Sequence, residues 1–229
     1  MKLSLDDIIV YSANIGEYDK FHTAGVFDKN ARYILFTDSE IKSKNWEIQK
    51  PENTLNLSDR KLARYYKLNP HLVLPEHKIS IWIDSCFEIQ ISDFEKFLVD
   101  EDLEKNDILI YKHPWRDCLY DEAAICKEKK LDYDFIIDEQ IFKYKNDGFP
   151  ENFGLFATGI ILRKNIPEIN KFNEMWWVEV LNHSGRDQLS QQYAAWKTNT
   201  KIKIFKNGSC VYNTPYMSKK IKHIKNGIF

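Results

Sequence analysis

Apolar residues along this chain fall into two rhythms. Short unbroken or alternating runs predict strands at Asp7–Tyr11, Arg32–Thr37, Ile79–Ile83, Asp107–Tyr111, within Gly154–Arg163 and at Lys201–Phe205. Longer stretches between them repeat at helical spacing. Ser58 caps a helix ending at Asn69, with Pro70 just beyond. Ser92-Asp93-Phe94-Glu95 reads as a capping box that opens a short helix to Val99. Tyr133–Tyr144 is helical and stops at the turn residues Asn146-Asp147-Gly148. Pro167 opens a helix whose Ile169, Phe172, Trp176 and Val180 share one face. Ser184 and Asp187 match a second capping box, followed by a buried stripe of Leu189, Tyr193 and Trp196. Strands interleaved with helices predict an α/β fold.

The run Ile79-Ser80-Ile81-Trp82-Ile83 describes a strand covered on both faces, and it ends abruptly in Asp84-Ser85-Cys86. A carboxylate leaving a buried strand stands where open α/β sheets bind ligands. Asp and Ser are also ordinary turn residues, so the position alone does not decide between chemistry and a turn. The first strand exits into Ser12-Ala13-Asn14-Ile15-Gly16-Glu17-Tyr18-Asp19, which suits a nucleotide or sugar but carries no GxGxxG fingerprint. The second exits into Asp38-Ser39, equally a turn pair or a base and ribose contact.

Charged residues cluster around these exits. Arg60, Arg64 and Lys67 fall on one face of the Ser58–Asn69 helix, either as a solvated stripe or as a diphosphate-holding row. His113-Pro114-Trp115-Arg116, followed by Asp121 and Glu122, concentrates a histidine, an arginine and carboxylates after a strand. Those acids also favour a helix N-terminus. Asp187 serves either as a helix cap or, with Gln188, as a group on the rim of a pocket. The basic run from Lys219 to Lys225 either stays solvated or folds back, bringing His223 to phosphate.

The length of 229 residues suits one domain, and no linker or internal repeat interrupts it. A formal net charge of −1 argues against a nucleic-acid partner. No transmembrane segment or signal peptide is apparent, and peripheral membrane contact stays open. Cys86, Cys118, Cys126 and Cys210 show no zinc-like or CxxC spacing and read as reduced thiols of a cytoplasmic protein.

Taken together, several blocks resemble a glycosyltransferase-like family that includes plant mucilage and pectin-related proteins and many bacterial members. They are Val10 to Asp19, Phe36-Thr37-Asp38-Ser39, Ala63 to His71, Trp82-Ile83-Asp84-Ser85, His113 with Arg116 and Glu122, and Arg186-Asp187-Gln188-Leu189-Ser190. The resemblance spans Val10 to about Trp196 and implies a single GT-A-like (Rossmann-like) domain with a mixed, mostly parallel central sheet flanked by helices. Its nucleotide-binding half would be residues 1–112 and its acceptor side, with the tail, residues 113–229. The implied reaction moves a sugar from a nucleotide-sugar donor to a glycan or lipid-linked acceptor, as in bacterial surface polysaccharide synthesis at the cytoplasmic side of the inner membrane.

On that resemblance Tyr11, Asn14 and Asp38 would line the nucleoside pocket, with Ser85 beside them, and Arg64 and Lys67 would approach the diphosphate. Asp84 would take the place of the Asp-x-Asp metal motif and hold Mn²⁺ or Mg²⁺ with His223. Asp187 and Gln188 would face sugar or acceptor, with Asp187 the leading base and Glu122 and His113 behind it. One departure stands out: Cys86 occupies the place of the second carboxylate, and a thiol is a poor ligand for these hard cations. That departure keeps a non-catalytic nucleotide- or glycan-binding module in view. A nucleotidyltransferase is the other alternative.

Overall fold

The computed structural model describes residues 7–19, 21 and 23–219. Its central sheet has seven strands in the order β3-β2-β1-β4-β7-β6-β8. These are β1 (Ile8–Asn14), β2 (Arg32–Thr37), β3 (Glu47–Gln49), β4 (Ile79–Ile83), β6 (Ile108–Lys112), β7 (Phe156–Lys164) and β8 (Lys203–Ile204). All run the same way except β7, which is antiparallel to both neighbours. The sheet is therefore mixed and mostly parallel, as expected. β1, β4 and nearly all of β7 are fully buried, which is why they read as continuous apolar runs.

Helices cover both faces, over two separate apolar clusters. They are α1 (Asp59–Leu68), α2 (Pro70–Val73), α3 (Phe94–Asp100), α4 (Leu119–Glu128), α5 (Asp134–Asn146), α6 (Pro167–Asn182) and α7 (Gln191–Thr198). Ser58 caps α1 by accepting from the Lys61 amide, as the sequence predicts. The cap of α3 is Asp93, one residue later than the Ser92 box, because the Asp93 carboxylate accepts from the Lys96 amide. The Ser184–Asp187 box does not form. The Ser184 hydroxyl donates to Asp132 instead, Asp187–Leu189 makes a 3-10 turn, and α7 begins only at Gln191. Trp196 is half-buried rather than part of a sealed stripe.

Two features of the topology shape the cleft. β1 and β4 are parallel neighbours with Tyr11 opposite Trp82, so the loops leaving both open at one sheet edge. In β7 the register against β6 jumps from Ile110↔Ile161 to Tyr111↔Ala157, a bulge that leaves Thr158 and Gly159 outside the pairing beside that edge. A short second sheet was not predicted. In it β5 (Phe87–Ile89) pairs antiparallel with β9 (Met217–Lys219), bringing the C-terminal segment back to the exit of β4. Each strand is too short to give a periodic signal. No helix among the described residues is long and apolar enough to cross a membrane.

Candidate active site

At the carboxyl ends of β1 and β4 lies a cleft of about 460 Å³. Its floor is the exit of β4. The Asp84 amide donates to the Gly159 carbonyl at 2.9 Å, which fixes where the strand turns. One Asp84 oxygen, Oδ1, accepts from Trp82 Nε1 at 2.7 Å and from Lys67 Nζ at 3.0 Å. The side chain keeps 30% exposure and lines the cleft. Oδ2 lies on the Gly159 side, where a Cβ would sit 3.6 Å from it and only 2.9 Å from the Phe87 ring. Glycine is what lets these groups approach the β7 backbone.

A network of charges supports this floor. Asp187 Oδ2 lies 2.7 Å from Lys67 Nζ and accepts from Thr158 Oγ1 at 2.9 Å. Asp187 Oδ1 lies 3.3 Å from Arg64 Nε. Burial works against the charge of Asp187, yet Arg64 and then Lys67 outweigh it and hold the carboxyl well below the ordinary range. The reciprocal holds for Arg64, where burial is outweighed by Asp187 and Asp84 and the guanidinium is held charged.

One wall of the cleft is cationic. Arg60 and Arg64 reach it from α1 and Arg186 from the loop before the 3-10 turn. Arg60 donates to the Leu131 carbonyl at 2.8 Å and lies across Gly185, where a Cβ would be 3.1 Å from its Cδ. Burial lowers the Arg60 pKa, and the nearby charges of Arg186 and Arg64 lower it further. The Arg60 guanidinium thus stands close enough to the other two to be repelled by both. Asp19 and Ser85 also line the cleft, joined by a 2.5 Å hydrogen bond from the Ser85 hydroxyl. Tyr18, Phe87 and Tyr212 add aromatic surface.

The predicted site residues divide between this cleft and its supports. Asp84, Ser85, Arg64, Asp187 and Gln188 line it together. Lys67 does not. Its side chain is 1% exposed, and its ammonium engages both carboxylates from below, so it is an internal strut and not a surface cation. Tyr11 is also withdrawn from the pocket, because its ring is sealed in the core. Its hydroxyl donates to the Lys67 carbonyl at 2.8 Å, and Arg163 donates to that same carbonyl and to Tyr11. Asn14 and Asp38 shape the loop after β1 instead of lining the cleft. Asn14 exchanges hydrogen bonds with the Asp19 backbone, and Asp38 accepts from the Gly16 amide at 2.9 Å.

Glu122 and His113 lie elsewhere, on a second cavity of about 190 Å³ that shares Arg186, Gln188 and Tyr212 with the first. Glu122 is locked to Arg116 Nε at 2.5 Å. His113 Nδ1 accepts from the Arg116 amide at 3.1 Å, and burial lowers the pKa of the ring against the opposing pull of Glu122. Neither group reaches the main cleft. Sequence reasoning singled out the loop that carries Tyr18 and Asp19 without assigning a role to either residue, and it missed Tyr212. An acid at the end of the loop after the first strand was the available signal for Asp19, whereas Tyr212 had none.

The donor set can be tested against Mn²⁺ or Mg²⁺. No three His, Cys, Asp or Glu side chains converge on a metal-sized site among the described residues. Asp84 offers one oxygen, since Lys67 and Trp82 occupy the other, and Cys86 is a buried thiol. His223 lies outside the described residues. These side chains do not compose a metal shell by themselves.

Comparison with known proteins agrees with this architecture. Residues 3–223 match the family described as TOD1/MUCI70, glycosyltransferase-like domain. A curated relative from Arabidopsis thaliana, the probable hexosyltransferase MUCI70, is 28% identical over 232 residues, covering 86% of this chain. The chain spans only 39% of that relative's length. Among solved structures, the apo WbbM bifunctional glycosyltransferase matches with a TM-score of 0.50 at 12% identity, over 88% of this chain and 39% of that one. This likeness concerns the fold, which is GT-A-like.

Proposed function

This chain belongs to the TOD1/MUCI70 glycosyltransferase-like domain family, and from that premise we propose that its cleft binds a nucleotide-activated hexose and passes the sugar to a hydroxyl acceptor. The observation that carries the reading is the polarity of the cleft. Three guanidinia, Arg60, Arg64 and Arg186, line it together with carboxylate and hydroxyl oxygens of Asp84, Asp19 and Ser85. A nucleotide sugar has a matching two-part character, with an anionic diphosphate joined to hydroxyl-rich ribose and hexose rings.

In the transfer, the acceptor oxygen bonds to the anomeric carbon as that carbon's bond to the phosphate oxygen breaks. The bonding electron pair leaves with the diphosphate, and the acceptor proton passes to a base or to solvent. Charge grows on the leaving group, so preorganised donors aimed at it lower the barrier. Arg64 and Arg186 fill that role, because a guanidinium fork matches phosphate oxygens and Asp187 holds Arg64 in place. The open oxygen of Asp84 and the Gln188 amide take sugar hydroxyls. Asp187 is a positioning residue: a carboxylate held by Lys67, Thr158 and Arg64, with its pKa pushed down, is a weak proton acceptor. No step is assigned to a metal ion, given the donor set available.

The test is direct. The protein is incubated with UDP-, GDP- and ADP-hexoses, with and without Mn²⁺, and release of nucleoside diphosphate is followed by chromatography. Release from one donor, lost in Arg186→Ala, is the expected result. Tight donor binding with no release from any donor would replace transfer by a binding module, a reading that the Cys86 substitution favours. Pyrophosphate released from a nucleoside triphosphate and a sugar phosphate would make the protein a nucleotidyltransferase.

A further inference from the structure

We infer that Phe87, Tyr212 and Trp115 form a track on which the sugar rings of an oligosaccharide acceptor stack, leading away from Asp84. The inference rests on the transferase reading for its direction but not for its geometry. Phe87 lies on the cleft floor beside Gly159. Tyr212 follows at 6.4 Å with a 37° tilt, and Trp115 at a further 5.8 Å with a 30° tilt. The rings are thus stepped and roughly aligned. Tyr212 lines both the main cleft and the second cavity, so the track borders both spaces.

Exposure grows outward. Phe87 is buried, Tyr212 is 50% exposed and Trp115 is 68% exposed. A large aromatic left in water at that level, next to a cavity, has the amphipathic character of a binding surface. The flanking groups suit a saccharide too, since polar Gln188 and Arg116 line the second cavity with Trp115 and Tyr212. The two exposed rings of the track are braced. Trp115 packs edge-on against His113, whose Nδ1 accepts the Arg116 amide. Buried Glu101 accepts from the Lys206 and Asn207 amides and from the Tyr216 hydroxyl, anchoring the segment that carries Tyr212. Rigid aromatics lose little freedom when a ligand stacks on them.

The experiment uses the full chain and three soluble hexasaccharides, a glucan, a galactan and a mannan, titrated calorimetrically without donor. One hexasaccharide is expected to bind, with affinity reduced about tenfold in Trp115→Ala and largely restored in Trp115→Phe. Nucleoside diphosphate affinity, measured on the same samples, is expected to stay unchanged in Trp115→Ala. Melting temperatures of both variants are expected to match the parent because the ring is exposed. Failure of all three glycans to bind the parent protein, or equal binding to Trp115→Ala, overturns the track. Glycan binding that depends on Trp115 in a protein that releases no diphosphate would sink the transferase reading and leave the track standing.

Discussion

The Lys67 ammonium lies 2.7 Å from the Asp187 carboxylate and 3.0 Å from Asp84, sealed beneath the floor of the cleft. This one cation joins the last turn of α1, the exit of β4 and the 3-10 turn at Asp187. Replacing it with methionine leaves two carboxylates facing each other with Arg64 as their remaining counter-charge. Removing one partner from a buried ion pair costs roughly 3–5 kcal/mol. Lys67→Met is expected to lose that much in urea unfolding, with much of it regained in Lys67→Met/Asp187→Asn.

Acid should weaken the fold through Asp187. A carboxyl whose pKa in the folded chain is depressed stabilises the protein above its unfolded value, about 4, and that contribution drains away as pH falls through the folded value. Stability of the parent protein is expected to fall steeply below about pH 4. Asp187→Asn should start lower at neutral pH and fall less, so the two curves converge. Urea titrations at stepped pH measure the gap, and a constant gap would contradict the assignment.

The guanidinium wall makes its own prediction. Arg186→Ala is expected to weaken nucleoside diphosphate binding about ten- to hundredfold, the size of a lost hydrogen bond to a charged group. Lysine at the same position restores charge but not the fork, so recovery should be partial. Arg64→Ala should show the same loss together with a lower melting temperature, because it also releases Asp187. Calorimetry at low and high salt separates the screened part of each effect.

Asp84 separates chemistry from support. Asp84→Asn keeps an oxygen to accept from Trp82 and Lys67, so the fold should hold while donor turnover falls by at least about a hundredfold. Asp84→Ala removes that acceptor from the Trp82 indole and takes one of two carboxylates from a buried ammonium, so it should lose melting temperature as well. Sequence reasoning alone expects the alanine variant to stay as stable as the parent, since a strand-end side chain adds little packing. The hydrogen bonds to Trp82 and Lys67 reverse that expectation. Thermal melts beside a turnover assay with and without Mn²⁺ distinguish the two variants.

Much of the architecture was legible along the chain. Ile79–Ile83, Arg32–Thr37 and the apolar run before Asn14 appear as strands because burial on both faces leaves a continuous apolar signature. Asp84 was legible for a related reason, as a charge that breaks such a run. The failures have physical causes of their own. Ser184 looked like a helix cap because its spacing to Asp187 is right, but Asp132, far away in sequence, takes its hydroxyl. Three-residue strands such as β5 and β9 carry too few side chains to show any period.

What the sequence determined by itself is the order of buried strands and the polar residues that end them, since those signals are local and repeat at fixed spacing. What only the tertiary structure decided is the office of each charge. Arg60, Arg64 and Lys67 share one helical face and are equivalent by spacing. α1 runs inward from the cleft rim, so the first two reach the cleft and the third is sealed under it against Asp84 and Asp187. Whether a cation meets ligand or carboxylate depends on which distant segments the fold brings within hydrogen-bond range, and no local pattern carries that information.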